Sequence, residues 1–122
     1  LPMQLQPYLS GQPALRRALV GHQMDFAAQR LTQQRVIEET AANAPGFASS
    51  AVKLSNALIT QAGDELLINA LGTQGVGWAG EFTANELAAT RTWLKQKSLT
   101  IAGGTMEVQK NIIAKRVLGL PD

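Results

Sequence analysis

The chain has 122 residues, of which 45% are hydrophobic, 16% charged and only 5% aromatic. This is one ordinary globular domain's worth of sequence, and it excludes a disordered polyelectrolyte. With no Cys and a single His, a disulfide framework, a thiol nucleophile and a Cys- or His-based zinc site are excluded, and a net charge of +2 without a run of Lys and Arg predicts no nucleic-acid partner.

Residues 1–13 carry Pro2, Pro7, Gly11 and Pro13 among scattered apolar residues, a composition that reads as an opening loop, with Pro13 suited to a first helical turn. From Ala14 to about Asn43 no proline intervenes, and Leu15, Ala18, Leu19, Phe26, Ala27 and Leu31 recur with Gln and Arg between them, which predicts a long amphipathic helix. Asn43-Ala44-Pro45-Gly46 stops it, and Ser49 and Ser50 are candidate caps for the next helix. That second helix, about Ala51 to Leu71, bears a stripe of Leu54, Leu58, Ala62 and Leu66, widened by Ile59, Leu67 and Leu71, and is expected to be buried on more than one side.

A glycine-dense loop, residues 72–80, follows. Thr83 then caps a third helix from about Ala84 to Lys97, with Leu87, Ala88, Arg91 and Leu94 on one face. A second loop, Ser98 to Gly104, ends in Gly103-Gly104, and Thr105 caps a fourth helix. Glu107 suits the positive end of that helix, and Lys115 and Arg116 suit its other end. Gly119, Leu120 and Pro121 read as a left-handed cap, its hydrophobic contact and a helix stop. Four helices with short connections and no strand pattern predict an all-α, antiparallel four-helix bundle.

Three features bear on chemistry. Gly75-Val76-Gly77-Trp78-Ala79-Gly80 satisfies G-x-G-x-x-G, but a dinucleotide fingerprint needs a strand before it and a helix opening directly from it, so this run reads as a helix-terminating loop. His22 is of the residue type most often used as a general base, yet no acid and nucleophile set accompanies it, and a packed or surface histidine is expected. From Arg91 onward, six cations (Arg91, Lys95, Lys97, Lys110, Lys115, Arg116) face only Glu107 and Asp122. This basic quarter fits either an anionic neighbour or a solvated helix face. No apolar run reaches the roughly 18 residues of a membrane span, and no charged-then-apolar leader opens the chain, so a soluble, cytoplasmic protein is expected.

The stretch Ser98 to Leu120 is the most informative. Two glycines before a capped helix offer backbone N–H groups at the positive end of a dipole, suited to a carbonyl oxygen or anion. The run from Thr100 to Pro121, TIAGGTMEVQKNIIAKRVLGLP, closely resembles the C-terminal signature of acyl-CoA dehydrogenases, in which (Glu or Gly)-Gly-Thr-Ser-(Glu or Gln)-Ile-Gln-Arg-Asn-Ile-Ile-Ala is typical. Ala51-Val52-Lys53-Leu54 is similar to the family's Ala-Lys-Leu helix start, and Asn69-Ala70-Leu71-Gly72-Thr73-Gln74-Gly75 to its Gln-x-Leu-Gly-Gly-x-Gly segment.

The resemblance covers residues 14–121 and implies a C-terminal helical domain, residues 14–122, of an FAD-dependent enzyme of fatty-acid metabolism. Such an enzyme removes hydrogens from the α and β carbons of an acyl-CoA thioester. It passes electrons to an electron-transfer flavoprotein-type acceptor and assembles as a homo-oligomer or with a paired dehydrogenase subunit. Family members are several times longer, and the absence of an initial Met at Leu1 fits a piece of such a protein. The expected counterpart of a missing bundle helix is an apolar groove through which the chain self-associates.

Carried over by position, the resemblance implies that Gly103 and Gly104 bind substrate, the N–H at Gly103 polarising the thioester carbonyl. It assigns Thr105, Met106 and Glu107 to FAD, together with Asn69, Ala70, Leu71, Gly72 and Thr73, the latter segment reaching the cofactor of a neighbouring subunit. Asn69 stands for the usual Gln and Thr73 for the second Gly. Many members carry their catalytic Glu at the position of Gly103, so no catalytic base is expected within this chain, and no metal. Other branches carry the carboxylate on an earlier bundle helix. A non-catalytic assembly subunit that has lost its base is the alternative.

Overall fold

The computed structural model describes residues 9–43 and 48–121. The described residues hold four α-helices and no strand: α1 (Pro13–Ala41), α2 (Ala48–Leu71), α3 (Ala84–Gln96) and α4 (Met106–Ile112). Short 3-10 turns follow α2 at Gly72–Val76 and α3 at Lys97–Thr100. The all-α, four-helix class expected from the sequence is therefore the class found. No helix of the described residues is long and apolar enough to cross a membrane.

The chain divides into two compact units, and α1 and α2 each contribute one segment to both. One unit contains the described residues up to Met24 with Thr60–Lys97; the other contains Asp25–Ile59 with the described residues from Ser98 onward.

In the first unit, Pro13 opens α1 as its fixed φ and missing N–H favour. Leu19 and Ala70 form a small core against which Leu9, Leu15 and Leu67 pack. His22 is half-buried, its imidazole lying where Gly63 has no side chain, so it is a packed histidine. Gly72, at φ +58°, takes the left-handed conformation that ends α2. Gly75 is buried because a Cβ there would stand 2.9 Å from the Ile68 carbonyl oxygen. The Thr90 hydroxyl, itself buried, donates to the Gly75 carbonyl at 2.8 Å and fixes this turn to α3.

Helix α3 starts at a reciprocal cap: the Glu86 N–H donates to the Thr83 hydroxyl at 3.2 Å and the Thr83 N–H to the Glu86 carboxylate at 2.8 Å. Its inward side differs from the one read off the apolar residues. Thr90 is buried and Glu86, Leu87, Ala89, Trp93 and Gln96 are half-buried, whereas Ala88, Arg91 and Leu94 are exposed. Polar anchors decide this orientation. The Trp93 indole N–H donates to Glu65 at 2.8 Å, and the Gln61 amide donates to the Gln96 carbonyl at 2.9 Å.

In the second unit, Gln29 is 6% exposed, whereas Phe26 and Leu31 of the expected apolar face are 60% and 64% exposed. The Gln29 amide donates to the Val52 carbonyl at 3.1 Å and accepts from the Ser55 hydroxyl at 2.5 Å, so a polar clamp joins α1 to α2 here. Asn43, at φ +53°, supplies the left-handed residue after α1. The stop residues Ala44, Pro45 and Gly46 lie outside the described residues. Ser49 and Ser50 fall inside the first turn of α2, which begins at Ala48, and not at its cap. Along α2, the expected burial on more than one side holds, since among residues 52–71 only Asn56, Leu58, Ala62 and Asn69 are exposed; Leu58 and Ala62 of the predicted stripe are the departures.

Replacing Gly75 by Ala would press a methyl group on backbone, which cannot swing aside as a side chain can. Gly75→Ala is expected to cost about 1–3 kcal/mol, read as a lower midpoint in chemical denaturation. Gly72→Asn, which tolerates the left-handed region, should cost less.

Candidate functional site

The loop before α4 is shaped by its carbonyls. In the 3-10 turn, the Ser98 carbonyl accepts from the N–H groups of Ile101 at 3.0 Å and Ala102 at 2.7 Å. The next carbonyl, Leu99, accepts from the Lys53 ammonium at 2.9 Å. Gly103 and Gly104 then stand at φ +73° and +105°, where a side chain is strained. The buried Gln109 side chain turns back to donate to the Gly103 carbonyl at 3.2 Å. Its amide nitrogen lies 2.7 Å from where a Cβ on Gly104 would be. Both glycines are thus required, one pair of dihedrals and one close approach at a time.

Thr105 is extended and accepts from the Val108 N–H at 3.3 Å, the N-cap expected from the sequence. The first N–H groups of α4 are left by helix geometry without intrahelical acceptors, and Glu107 lies in this first turn. The loop therefore turns its carbonyls onto Lys53, Gln109 and its own amides. With the N–H groups of Ile101 and Ala102 bonded to Ser98, those of Gly103, Gly104 and the start of α4 are its chemical offering, which suits an oxygen acceptor.

Helix α4 is shorter than the pattern implies. It changes at Ile113–Val117 into a π-helical segment, with the Leu118 N–H bonded to the Ile113 carbonyl at 3.0 Å. Gly119, at φ +64°, is the left-handed cap as expected. Leu120 closes the helix through its N–H, bonded to the Ala114 carbonyl at 3.0 Å, while its side chain is exposed in place of the expected hydrophobic contact.

The structure brings Gly103, Gly104, Thr105, Met106 and Glu107 together in the second unit. Asn69, Ala70, Leu71, Gly72 and Thr73 belong to the first. There, Asn69, Gly72 and Thr73 are exposed, Leu71 is half-buried, and the Ala70 methyl is committed to the core with Leu19, so Ala70 has only its backbone to present. Gly75, Gly77 and Gly80 serve packing and turning: Gly77 lies against the Phe82 ring and Gly80 stands at φ +105°. No strand precedes them among the described residues and α3 opens only at Ala84, whereas a dinucleotide fingerprint needs a strand before it and a helix opening directly from it.

Two cations of the basic quarter are engaged by neighbours within the first unit. Arg91 lies over the Trp78 ring at 5.4 Å and donates to the Trp78 carbonyl at 3.2 Å. Lys97 pairs with Glu65 and lies over Trp93 at 5.1 Å. Its contacts with Lys97 and Trp93 hold the Glu65 carboxyl below its ordinary range. Beside it, burial pushes the Asp64 carboxyl up, and one of its oxygens is buried without a hydrogen-bond partner. Reasoning from sequence missed Lys53 and Gln109 as shapers of the loop. The signal for Lys53 was its place in the Ala51-Val52-Lys53-Leu54 run near the start of α2, which gave no hint of the loop it reaches.

The sequence pattern of the family described as acyl-CoA dehydrogenase, C-terminal domain, matches residues 4–118. No curated protein and no solved structure matches.

Two outcomes follow. Gln109→Leu, which keeps bulk and removes the donor, leaves the Gly103 carbonyl unmatched and is expected to cost about 1–3 kcal/mol in thermal denaturation. Because the folded state binds a proton at Asp64 more readily than the unfolded chain does, stability falls as pH rises from the unfolded carboxylate range through the raised folded pKa. Asp64→Asn should therefore stabilise the protein at pH 7 and do so far less at pH 3, as measured by urea midpoints.

Proposed function

The chain belongs to the family of acyl-CoA dehydrogenase C-terminal domains, and from this we infer that it serves the α,β-dehydrogenation of an acyl-CoA thioester. In this reading the Gly103 N–H, at the end of the loop before α4, receives the thioester carbonyl oxygen and stabilises the negative charge that develops there when the α-proton leaves. What supports it above all is the loop geometry: two glycines with positive φ, their carbonyl side tied down, ahead of a capped helix.

Thr105, Met106 and Glu107 would hold FAD, whose chemistry in this reaction is to accept hydride from the β-carbon, and Asn69, Ala70, Leu71, Gly72 and Thr73 would reach the FAD of a neighbouring subunit. Each segment has donors suited to such a group. Gly103 and Gly104 in the one and Gly72 in the other carry no side chain to cover the main chain, and main-chain N–H groups suit the oxygen-rich flavin and pyrophosphate. The Thr105 hydroxyl is engaged at the helix cap, so Thr105 would contribute its backbone. Electrons would leave to a flavoprotein-type acceptor, and the working unit would be a homo-oligomer or a paired subunit.

A second reading, a non-catalytic assembly subunit, draws on Gly103 itself. It stands where many relatives by family carry their base, and with φ +73° and the Lys53 Cε 3.3 Å from its would-be Cβ, the position is built for glycine.

The test uses the protein that carries this chain. It is expected to retain flavin, visible as absorbance that bleaches on adding acyl-CoA. Gly104→Val is expected to lower turnover about 100-fold. Flavin retained without bleaching by any acyl-CoA would favour the assembly reading, and a protein with neither property overturns the proposed function.

A further inference from the structure

Lys53 is the group in this site that the reading above leaves without a task. It sits in the N-terminal half of α2, half-buried, and among the described residues it pairs with no carboxylate. Its ammonium donates to a main-chain carbonyl 46 residues further along, that of Leu99, at 2.9 Å. Its Cε lies 3.3 Å from where a Cβ on Gly103 would be. The stem thus runs beneath Gly103 while the head holds the chain four residues before it.

We propose that Lys53 is a positioning residue for thioester recognition: it fixes the loop so that the Gly103 N–H stays aimed where the carbonyl oxygen binds. This rests on the proposed function and deepens it. Glycine restricts its own backbone least of all residues, and two in succession hold no direction by themselves. The loop is pinned on one side of Gly103 by Lys53 at Leu99 and on the other by Gln109 at the Gly103 carbonyl. A charged donor makes the stronger hydrogen bond of the two. Removing it frees the segment between the pins, and an N–H displaced by about 1 Å loses most of its effect on a developing oxyanion. A substrate that still docks through its other contacts is then turned over slowly, so the effect falls on kcat more than on KM.

The test compares Lys53→Met, which keeps the apolar stem, and Lys53→Arg, which keeps a charged donor, in the protein that carries this chain. Hydrogen exchange without substrate is read at the amides of residues 101–106, and kcat and KM with acyl-CoA are read separately. Lys53→Met is expected to speed exchange in that segment about tenfold while α1 keeps its protection, and to lower kcat about tenfold or more with KM little changed. Lys53→Arg is expected to recover both in part. Unchanged exchange in Lys53→Met overturns the clamp. Faster exchange with unchanged kcat overturns its role in recognition, as does an equal loss in Lys53→Arg. A wild-type protein without turnover overturns the proposed function and this extension of it, while the exchange comparison still decides the clamp.

Discussion

Main-chain carbonyls need donors, and several in this chain are met by side chains reaching out from helices. Lys53 reaches Leu99, Thr90 reaches Gly75 and Gln109 reaches Gly103 in the connections, Gln61 reaches Gln96 at the end of α3, and Gln29 reaches Val52 within α2. With 5% aromatic residues and a core in the first unit built on Leu19 and Ala70, apolar contact alone has little with which to set the angle of a turn. Hydrogen bonds of fixed length and direction do that instead. The candidate site inherits its shape from two of them.

This division of labour explains what was legible in the sequence. Helix caps and stops act over three or four residues, so Thr83, Thr105, Gly72 and Gly119 were readable from their neighbours alone. The inward faces were not. Periodicity finds apolar residues, and here Gln29, Thr90 and Gln109 are buried while Phe26, Leu31 and Leu94 are exposed, because the buried polar groups each have a partner in a distant segment. The signature after Thr100 identified the family and the loop. That a lysine in α2 and a glutamine in α4 shape this loop is a matter of tertiary placement, which no spacing encodes.

The same constraint bears on Gly103. Gly103 is held by its neighbours as a backbone element: its φ disfavours any side chain, its carbonyl is occupied, and Lys53 fills the direction in which a Cβ would point. The position is therefore committed to presenting main chain. A carboxylate introduced there would meet backbone strain and, next to it, an ammonium that stabilises the charged form and weakens it as a proton acceptor.

The π-helical segment after α4 has a consequence of a different kind. A turn closed by a bond from Leu118 to Ile113 contains one residue more than an α-turn, and the bond from Leu120 to Ala114 spans six positions where the usual closing bond spans five. Such a widened turn is how a helix absorbs a single extra residue without rotating what lies on either side of it. Lys115 and Arg116 lie within this segment, so the deletion of one residue from Ile113–Val117 would restore an ordinary α-turn and leave the glycine loop at the other end of the helix untouched. Gain or loss of a residue here can thus be taken up within the turn itself, independently of the site that the helix begins.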